Sequence, residues 1–279
     1  MFHGIEMIEE EIVDKPIHAI PTKYLKMIAE IKPLDGEKTI GLTKRNSTIY
    51  LIKNSGVLES LDETSFETSP VLQATFSFKK VEFFSNGKMA ATEHNSSMLS
   101  IMDETGKIQR QLQLSYTPKD LHVFKDKIFV LSGSNNEIYV YDSELRLERS
   151  IKFMNSQKET CNFILPLDIS IFVSCQSAIL EISENGTLKK KFSTYGGSYS
   201  LAIAFVERSK LLFAVQRGQS QIHVFDYNAK LKTKLLQAHN SAALWSSLII
   251  AQDRIYTLDY ITNIIRIFDL PPINWKVML

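Results

Sequence analysis

The chain has 279 residues, of which 44% are apolar and 23% are charged, with 32 Lys and Arg against 31 Asp and Glu. A formal net charge of +1 excludes a strongly basic nucleic-acid-binding domain and a strongly acidic disordered chain on composition alone. Two cysteines are too few for a disulfide scaffold or a four-cysteine zinc site. The length is ample for a large apolar core.

The N-terminal residues 1–20 are predicted to form an acidic segment rather than a targeting signal. Met1–Glu11 contains four glutamates, where a secretory signal would carry basic residues and an apolar block. No stretch approaches the roughly 18 consecutive apolar residues that a membrane-spanning helix needs. We therefore expect an intracellular protein, cytoplasmic or nuclear, with no membrane partner and with a single domain over residues 21–279.

Short apolar runs rich in β-branched and aromatic residues recur along the chain, and each is followed by a polar turn. In chain order they are Ile49–Ile52, Leu99–Asp103, Ile138–Asp142, Ile179–Ile182, Ile222–Asp226 and Ile265–Asp269. Their first residues lie 50, 39, 41, 43 and 43 positions apart. This regular spacing indicates a repeated structural unit.

A second β-rich run precedes each of these runs. In chain order these are Thr39–Leu42, Lys88–Ala91, Ile128–Leu131, Ile171–Ser174, Leu211–Val215 and Ile255–Leu258. A further strand precedes and another follows each pair, which gives four strands in roughly 40 residues. The pattern predicts an all-β fold, a β-propeller of four-stranded antiparallel blades with six blades rather than seven. Packing each sheet between two others buries both of its faces.

Two parts of the ring stay open at this stage. Lys23–Lys32 fits either a strand or a short helix, because Leu25, Ile28 and Ile31 would also line one helical face. Ring closure requires an outer strand for the last blade, and the candidates are Ile8–Val13 and Ile273–Leu279. If neither pairs there, the last sheet has an exposed edge.

The second unit resembles a blade of the NHL-type six-bladed propeller. Gly87-Lys88-Met89 leads through Asn95 to Met98–Met102 and then to Gly106-Lys107-Ile108, in the order of an NHL repeat. The third unit, Lys127–Val130 through Asn136 to Ile138–Asp142, shows the same order. The resemblance covers nearly the whole chain from about residue 35. It implies the propeller fold and, for some members of that family, binding of single-stranded RNA on a basic face.

The last unit also resembles a WD40 repeat, because Ala238-His239 precedes Phe268-Asp269 at a similar spacing. WD40 blades place an Asp six residues before the terminal Trp, and that Asp bonds the His. The matching positions are Asn46, Ser96, Asn135, Gln176, Gln219 and Thr262, none of which is Asp. The WD40 tetrad is therefore absent, and the NHL-like pattern is the better match.

Catalytic and metal-binding patterns are not found in the sequence. The six histidines show no ligand spacing among themselves, and we interpret His239 as a hydrogen-bonding residue at the end of a blade. Cys161 and Cys175 are expected opposite each other across a hairpin centred near Asp168, as two buried thiols in a reducing compartment. No phosphate-binding loop or paired-carboxylate signature is present, so no cofactor or metal is predicted and the protein is expected not to be an enzyme.

Two features suggest where a partner binds. The loops between the two middle strands of the blades are predicted to gather on one face, and the loops between blades add aromatic residues. The predicted rim comprises Arg45, His94, Asn135, Gln176, Tyr195, Arg217 and Tyr260, with Tyr116, Tyr199 and Trp245 as further aromatics, each either in a loop or in the core. The second feature is lysines on predicted outer strands, which either block edge-to-edge aggregation or form a basic belt. These lysines are Lys189, Lys190, Lys191, Lys230, Lys232 and Lys234.

The primary functional hypothesis is a non-enzymatic scaffold that binds a protein or peptide within a larger complex, with no small-molecule substrate. The first alternative is a single-stranded RNA-binding propeller, since such proteins combine basic grooves with aromatic stacking. The second alternative is a hydrolase or lyase with a metal on the propeller axis, as the resemblance to six-bladed propellers implies.

Overall fold

The computed structural model describes residues 22–32, 36–154, 159–194, 198–199, 201–216, 221–237 and 245–272. The first two strands are β1 (Thr22–Leu25) and β2 (Met27–Ile31). Lys23–Lys32, which the sequence left open between strand and helix, is therefore extended. The predicted acidic segment, residues 1–20, lies outside the described residues. The described ranges contain no helix that could span a lipid bilayer.

The remaining strands form six consecutive groups, each an antiparallel sheet. The first group is β3 (Thr39–Arg45), β4 (Thr48–Lys53), β5 (Val57–Leu61) and β6 (Thr68–Gln73). The second is β7 (Phe78–Phe83), β8 (Met89–Glu93), β9 (Met98–Met102) and β10 (Ile108–Gln113). The third is β11 (Pro118–Phe124), β12 (Lys127–Ser132), β13 (Glu137–Tyr141) and β14 (Leu147–Lys152).

The second half of the chain repeats this order. The fourth group is β15 (Cys161–Pro166), β16 (Ile171–Cys175), β17 (Ile179–Ile182) and β18 (Leu188–Phe192). The fifth is β19 (Ile203–Val206), a 3₁₀ turn at Glu207–Ser209, β20 (Leu211–Gln216), β21 (Gln221–Phe225) and β22 (Leu231–Gln237). The sixth is β23 (Trp245–Ala251), β24 (Arg254–Asp259) and β25 (Ile264–Asp269).

The six groups are the blades of a closed propeller, as the repeat pattern predicted. The first strand of each blade contacts the first strand of the next, and β23 of blade 6 contacts β3 of blade 1. These six inner strands surround a central axis. Apolar side chains fill the space between blades, and Leu51 of blade 1, for example, packs in one cluster with Tyr256 and Ile267 of blade 6.

Ring closure uses a strand that the sequence did not identify. β2 pairs antiparallel with β25 and is the outer strand of blade 6. The segments predicted for this place, Ile8–Val13 and Ile273–Leu279, lie outside the described residues, and the place itself is taken by Met27–Ile31. β1 runs parallel to β22 and adds a fifth strand to blade 5.

The first repeat is displaced by one strand from the predicted alignment. Ile49–Ile52 lies in β4, the second strand of its blade, whereas the five later runs lie in third strands. The true equivalent in blade 1 begins at Val57, which is 41 residues before Met98 and removes the irregular first step of 50. The misalignment arose because β4 is as fully buried as a third strand, with Ile49 and Ile52 inaccessible to solvent.

The two cysteines form a disulfide, so the prediction of two thiols is wrong. Cys161 of β15 and Cys175 of β16 are directly opposite in the strand register, as the hairpin symmetry predicted. Their sulfurs are 2.00 Å apart and their Cα atoms 3.9 Å apart. Directly opposed residues on antiparallel strands bring their side chains together, and this places the two sulfurs within bonding reach.

Candidate functional site

The propeller has two faces, which differ in the loops that they carry. We call the top face the one that holds the loops between second and third strands together with the connections between blades. Backbone hydrogen bonds join these two sets of loops, for example from Asn54 N to Lys38 O at 2.9 Å and from His94 N to Ser77 O at 2.9 Å. The bottom face holds the loops between first and second and between third and fourth strands.

Four of the predicted rim residues lie on the top face, in loops between second and third strands. They are His94, Asn135, Gln176 and Tyr260. Tyr195, Arg217 and the blade-end His239 lie outside the described residues. Arg45 is on the bottom face, where its Nη2 lies 3.5 Å from Oε1 of Glu104. Its predicted place was wrong because the first repeat had been aligned one strand out of phase.

The loop aromatics Tyr116, Tyr199 and Trp245 belong to the core and present no binding surface. Their side chains are 7%, 0% and 0% exposed, respectively. Asn135 is also occupied, since its Nδ2 donates to Oε2 of Glu137 at 2.8 Å. The predicted rim is therefore reduced to the exposed Gln176 and a region around His94 and Tyr260, and only the latter two border the cavity described next.

His94 and Tyr260 border a cavity of about 430 Å³ where the propeller axis opens on the top face. Four lysines border the same cavity, namely Lys38, Lys79, Lys119 and Lys80, the last of which belongs to a charge cluster described below. We call His94, Tyr260, Lys38, Lys79 and Lys119 the mouth. His94 and Tyr260 were predicted from the sequence, whereas the three lysines of the mouth were not.

The lysines of the mouth come from three successive blades. Lys79 and Lys119 are the second residues of β7 and β11, and Lys38 directly precedes β3. Inner strands begin at the top face, so residues at their starts surround the axis. Lys79 Nζ donates to the carbonyl oxygen of Pro118, the residue before Lys119, which draws the two lysines together. Lys79 and Lys119 occupy equivalent positions in their repeats, and an alignment of the inner strands would have shown this.

The three ammonium groups have no acidic partner within the described ranges of the chain, where none of them forms an ion pair. Burial lowers the pKa of Lys79, and the neighbouring charge of Lys119 lowers it further. Asp120 is the only carboxylate that borders the mouth cavity among the described residues. It is 6% exposed, accepts a hydrogen bond from Ile164 N at 2.9 Å, and lies 3.7 Å from Lys80 Nζ. The charge of Asp120 raises the pKa of Lys79 but does not offset burial and Lys119. The mouth therefore carries an excess of positive charge.

An aromatic and an aliphatic side chain extend from the same edge of the mouth. Tyr260 is 52% exposed and Ile261 is 64% exposed, both in the loop between β24 and β25. Lys38 Nζ lies 3.7 Å from the centre of the Tyr260 ring, a cation–π contact. Exposed apolar groups beside unpaired cations combine two kinds of attraction for a partner.

Below the mouth, the axial channel contains a cluster of buried charges. Lys80 Nζ lies 3.4 Å from Glu82 Oε1 and 3.7 Å from Asp120 Oδ1, and Thr43 Oγ1 donates to Glu82 at 3.3 Å. Burial lowers the pKa of Lys80, but the two carboxylates outweigh it and raise the pKa overall. Burial raises the pKa of Glu82 and of Asp120, and lowers the pKa of His122 to about 4. Lys80 is thus a fixed cation between two carboxylates.

The other wall of the channel is apolar and includes Phe163, Leu165, Phe205 and Ile249 around about 150 Å³ of space. In the described part of the chain, no group of three or more His, Cys, Asp or Glu residues is placed to hold a metal ion. The axial-metal hypothesis stays a prediction.

Of the two lysine-rich strands, β18 is an outer strand as predicted, whereas β22 is not, because β1 pairs on its outer side. Several of the lysines are already engaged. Lys190 Nζ lies 3.8 Å from the buried Glu181 and 3.3 Å from the centre of the Tyr227 ring. Lys189 Nζ donates to Ile169 O at 2.6 Å. In blade 5, β1 covers the strand that carries Lys232 and Lys234. The basic belt stays a prediction, and the mouth is the stronger candidate.

Comparison of the sequence with protein-family models and with curated protein sequences gives no match. Among solved structures, the WD40 β-propeller domain of Doa1 is similar, with a TM-score of 0.66 at 10% identity over 88% of this chain and 97% of that one. Virginiamycin B lyase from Staphylococcus aureus is similar too, with a TM-score of 0.64 at 12% identity over 88% of this chain and 100% of that one. At such identities the likeness concerns the fold alone. It confirms that the chain is a β-propeller.

Proposed function

We propose that this propeller is a protein-interaction scaffold whose mouth binds an acidic segment of a partner protein. The observation that carries the proposal is the convergence of Lys38, Lys79 and Lys119, without acidic partners in the described chain, beside the exposed Tyr260. Each unpaired ammonium can attract a carboxylate, and the aromatic ring supplies contact area at a small cost in conformational entropy.

The bottom face supports the choice of the top face by contrast. Several of its charged side chains pair with one another between blades, as in Arg45–Glu104 at 3.5 Å and Lys125–Asp168 at 2.6 Å, whereas Lys88 and Lys107 form no ion pair in the described part of the chain and lie apart from any cavity lined by several lysines. Arg208 and Asp253 form a further pair there. Cations that already have partners gain little from a new acidic ligand, whereas the mouth lysines gain the full interaction.

The rigid scaffold suits this role. The inner strands that carry Lys79 and Lys119 are central to a closed ring, and neighbouring residues such as Phe78 and Leu121 are completely buried. The lysine backbones are therefore fixed before a partner arrives, and less ordering entropy is lost on binding.

A charge-matched comparison tests the proposal. The probes are two fluorescent nine-residue peptide libraries, one with four Asp or Glu positions and one with Asn or Gln at the same positions. The wild-type protein should retain the acidic library at least tenfold better, and Lys79→Gln/Lys119→Gln should abolish that preference. The control is Lys88→Gln/Lys107→Gln, which removes the same charge from exposed bottom-face lysines. Equal retention of both libraries by the wild-type protein would contradict the proposal.

Single-stranded RNA is the second candidate, because lysines beside an exposed aromatic ring also suit a polyanion with stacking bases. A fluorescent octauridylate separates the two. Binding that is tighter than that of the acidic library and falls steeply with salt would favour RNA. Binding of the acidic peptides alone would favour the protein partner.

A further inference from the structure

The mouth and the channel below it carry more positive charge than a ligand with a single negative charge can neutralise. Lys38, Lys79, Lys80 and Lys119 border the mouth cavity, together with one carboxylate, Asp120. Glu82 pairs with Lys80 just below, at 3.4 Å. Four ammonium groups against two carboxylates leave a net charge of +2. One glutamate side chain would therefore neutralise only half of it.

Neither carboxylate forms an ion pair with Lys38, Lys79 or Lys119, although the charge of Asp120 partly offsets the lowering of the Lys79 pKa. Asp120 is almost completely buried, and its two oxygens face Ile164 N at 2.9 Å and Lys80 at 3.7 Å. Glu82 faces Lys80 and accepts from Thr43 Oγ1 at 3.3 Å. Both acids thus belong to the channel cluster, and the remaining positive charge is concentrated on Lys38, Lys79 and Lys119.

Lys79 and Lys119 repel each other, which is why Lys119 contributes to the lowered pKa of Lys79. Their repulsion is best relieved by a ligand whose several oxygens can accept from both ammonium groups at once. A phosphate monoester carries a charge of about −1.5 to −2 near pH 7 and has three strong acceptor oxygens. A carboxylate has one charge and two oxygens.

We infer that the mouth recognises a phosphorylated side chain on the partner segment, with its phosphate held by Lys79 and Lys119. This inference rests on the proposed function and specifies its ligand. Lys38 and the exposed face of Tyr260 lie at the edge of the same cavity, where they receive the residues that flank the phosphate. The hydroxyl-bearing Ser246 and Ser247, on β23 of the same blade as Tyr260, also line the cavity.

Three degenerate libraries test the inference. All are fluorescent nine-residue peptides with randomised uncharged flanks, and the central residue is phosphoserine, glutamate or serine. We expect the phosphoserine library to bind at least tenfold more tightly than the glutamate library, and the glutamate library more tightly than the serine library. If glutamate equals phosphoserine while both exceed serine, the inference is wrong and the proposed function stands. If neither exceeds serine, the inference is wrong, and the library with four acidic positions decides whether the proposed function stands.

Variants locate the site. Lys79→Gln/Lys119→Gln should remove the preference for phosphoserine over glutamate, whereas Lys79→Arg/Lys119→Arg should keep most of it because the charges remain. The bottom-face control Lys88→Gln/Lys107→Gln should behave as the wild type. If Lys79→Gln/Lys119→Gln keeps the preference for phosphoserine and its circular dichroism spectrum is unchanged, Lys79 and Lys119 do not hold the phosphate and the inference is wrong.

The charge of the ligand itself provides an independent readout. Phosphate loses its second charge with a pKa of about 6, so the preference for phosphoserine over glutamate should shrink between about pH 7.5 and about pH 5.5. Both libraries face the same protein groups, and their ratio therefore isolates the ligand. A ratio that does not change with pH would contradict recognition of a dianion.

Competition distinguishes the sources of phosphate. Inorganic phosphate and octauridylate, each at the concentration of the bound phosphoserine library, should displace little of it. Full displacement by inorganic phosphate would mean that the site takes a small phosphate compound. Full displacement by octauridylate would mean that it binds a nucleic-acid backbone. Either result would overturn the assignment to a partner segment.

Discussion

The ammonium group of Lys38 lies 3.7 Å from the centre of the Tyr260 ring, so residues from the first and sixth blades meet at the mouth of the propeller. The pair lies where the ring closes, since β3 follows the closing strand and Tyr260 lies between β24 and β25. A charged and an aromatic group are thereby fixed together on one edge of the axial opening.

Tyr260→Ala should weaken binding of the acidic peptide library about fivefold to tenfold, because it removes an exposed aromatic contact of the kind that dominates binding hot spots. Tyr260 is 52% exposed, and the free energy of unfolding should change by less than about 1 kcal/mol. Fluorescence anisotropy and thermal unfolding measure the two effects. Tyr24→Ala is the matched control, since Tyr24 is 68% exposed but lies on β1, away from the mouth. An equal loss in both variants would show a nonspecific effect.

Lys119→Gln should raise the pKa of Lys79, because it removes the neighbouring positive charge. The pKa should stay below its ordinary value, since burial is the larger cause of its depression. Titration of ¹³C-dimethylated lysines by NMR reads this pKa directly. Lys107→Gln is the control and should leave Lys79 unchanged. A Lys79 pKa that does not respond to Lys119→Gln would mean that the two ammonium groups are too far apart to share one phosphate.

The buried His223 should make stability depend on pH. Burial lowers its pKa to about 4, with a contribution from Lys234, and its Nδ1 lies 2.8 Å from the hydroxyl oxygen of Tyr199. The folded-state pKa of His223 lies below the unfolded value of about 6.5. Its contribution to stability is therefore fully present above about pH 6.5 and is lost as the pH falls toward 4. The full contribution is about 3 kcal/mol.

Urea unfolding of the wild type and of His223→Gln at about pH 7 and about pH 4.5 checks this contribution. The wild type should lose more stability on acidification than the variant, because the glutamine side chain cannot titrate. Parallel losses in the two proteins would show that His223 does not carry the effect.

The disulfide between Cys161 and Cys175 should stabilise the fold. It closes a loop with a sequence separation of 14, for which the entropic contribution is about 3 kcal/mol. Reduction should therefore lower the free energy of unfolding by roughly that amount without opening the ring, whose blades are held by apolar contacts. Titration of thiols in the unreduced, denatured protein should find none. Detection of two titratable thiols would instead show that Cys161 and Cys175 are free thiols, as the sequence predicted.

The sequence was sufficient to predict the repeat and the number of blades, because buried middle strands such as β16 and β20 are apolar throughout most of their length. It did not predict the closing strand. Met27–Ile31 is half-exposed at the edge of its sheet, and its weaker apolar pattern fits a helix as well as a strand. Pairing between the two ends of the chain, as of Met27 with Phe268, has no local signal in a single sequence.

The mouth was harder to predict than the fold. Tyr260 and His94 were found because loops between middle strands follow directly from the repeat. Lys79 and Lys119 were missed because lysines are common on surfaces, and only the position at the start of an inner strand brings these two to the axis. Recognising them required an alignment of the inner strands, whereas the repeat was identified from the second and third strands.

Lysine footprinting with bound peptide tests the central claim most directly. The protein is reacted briefly with an amine-specific acylating reagent in the presence and absence of the phosphoserine library, and each lysine is quantified by mass spectrometry. Lys38, Lys79 and Lys119 should be protected at least fivefold, while the exposed bottom-face Lys88 and Lys107 should react equally with and without peptide. Protection of the bottom-face lysines, with the mouth lysines unchanged, would contradict the account.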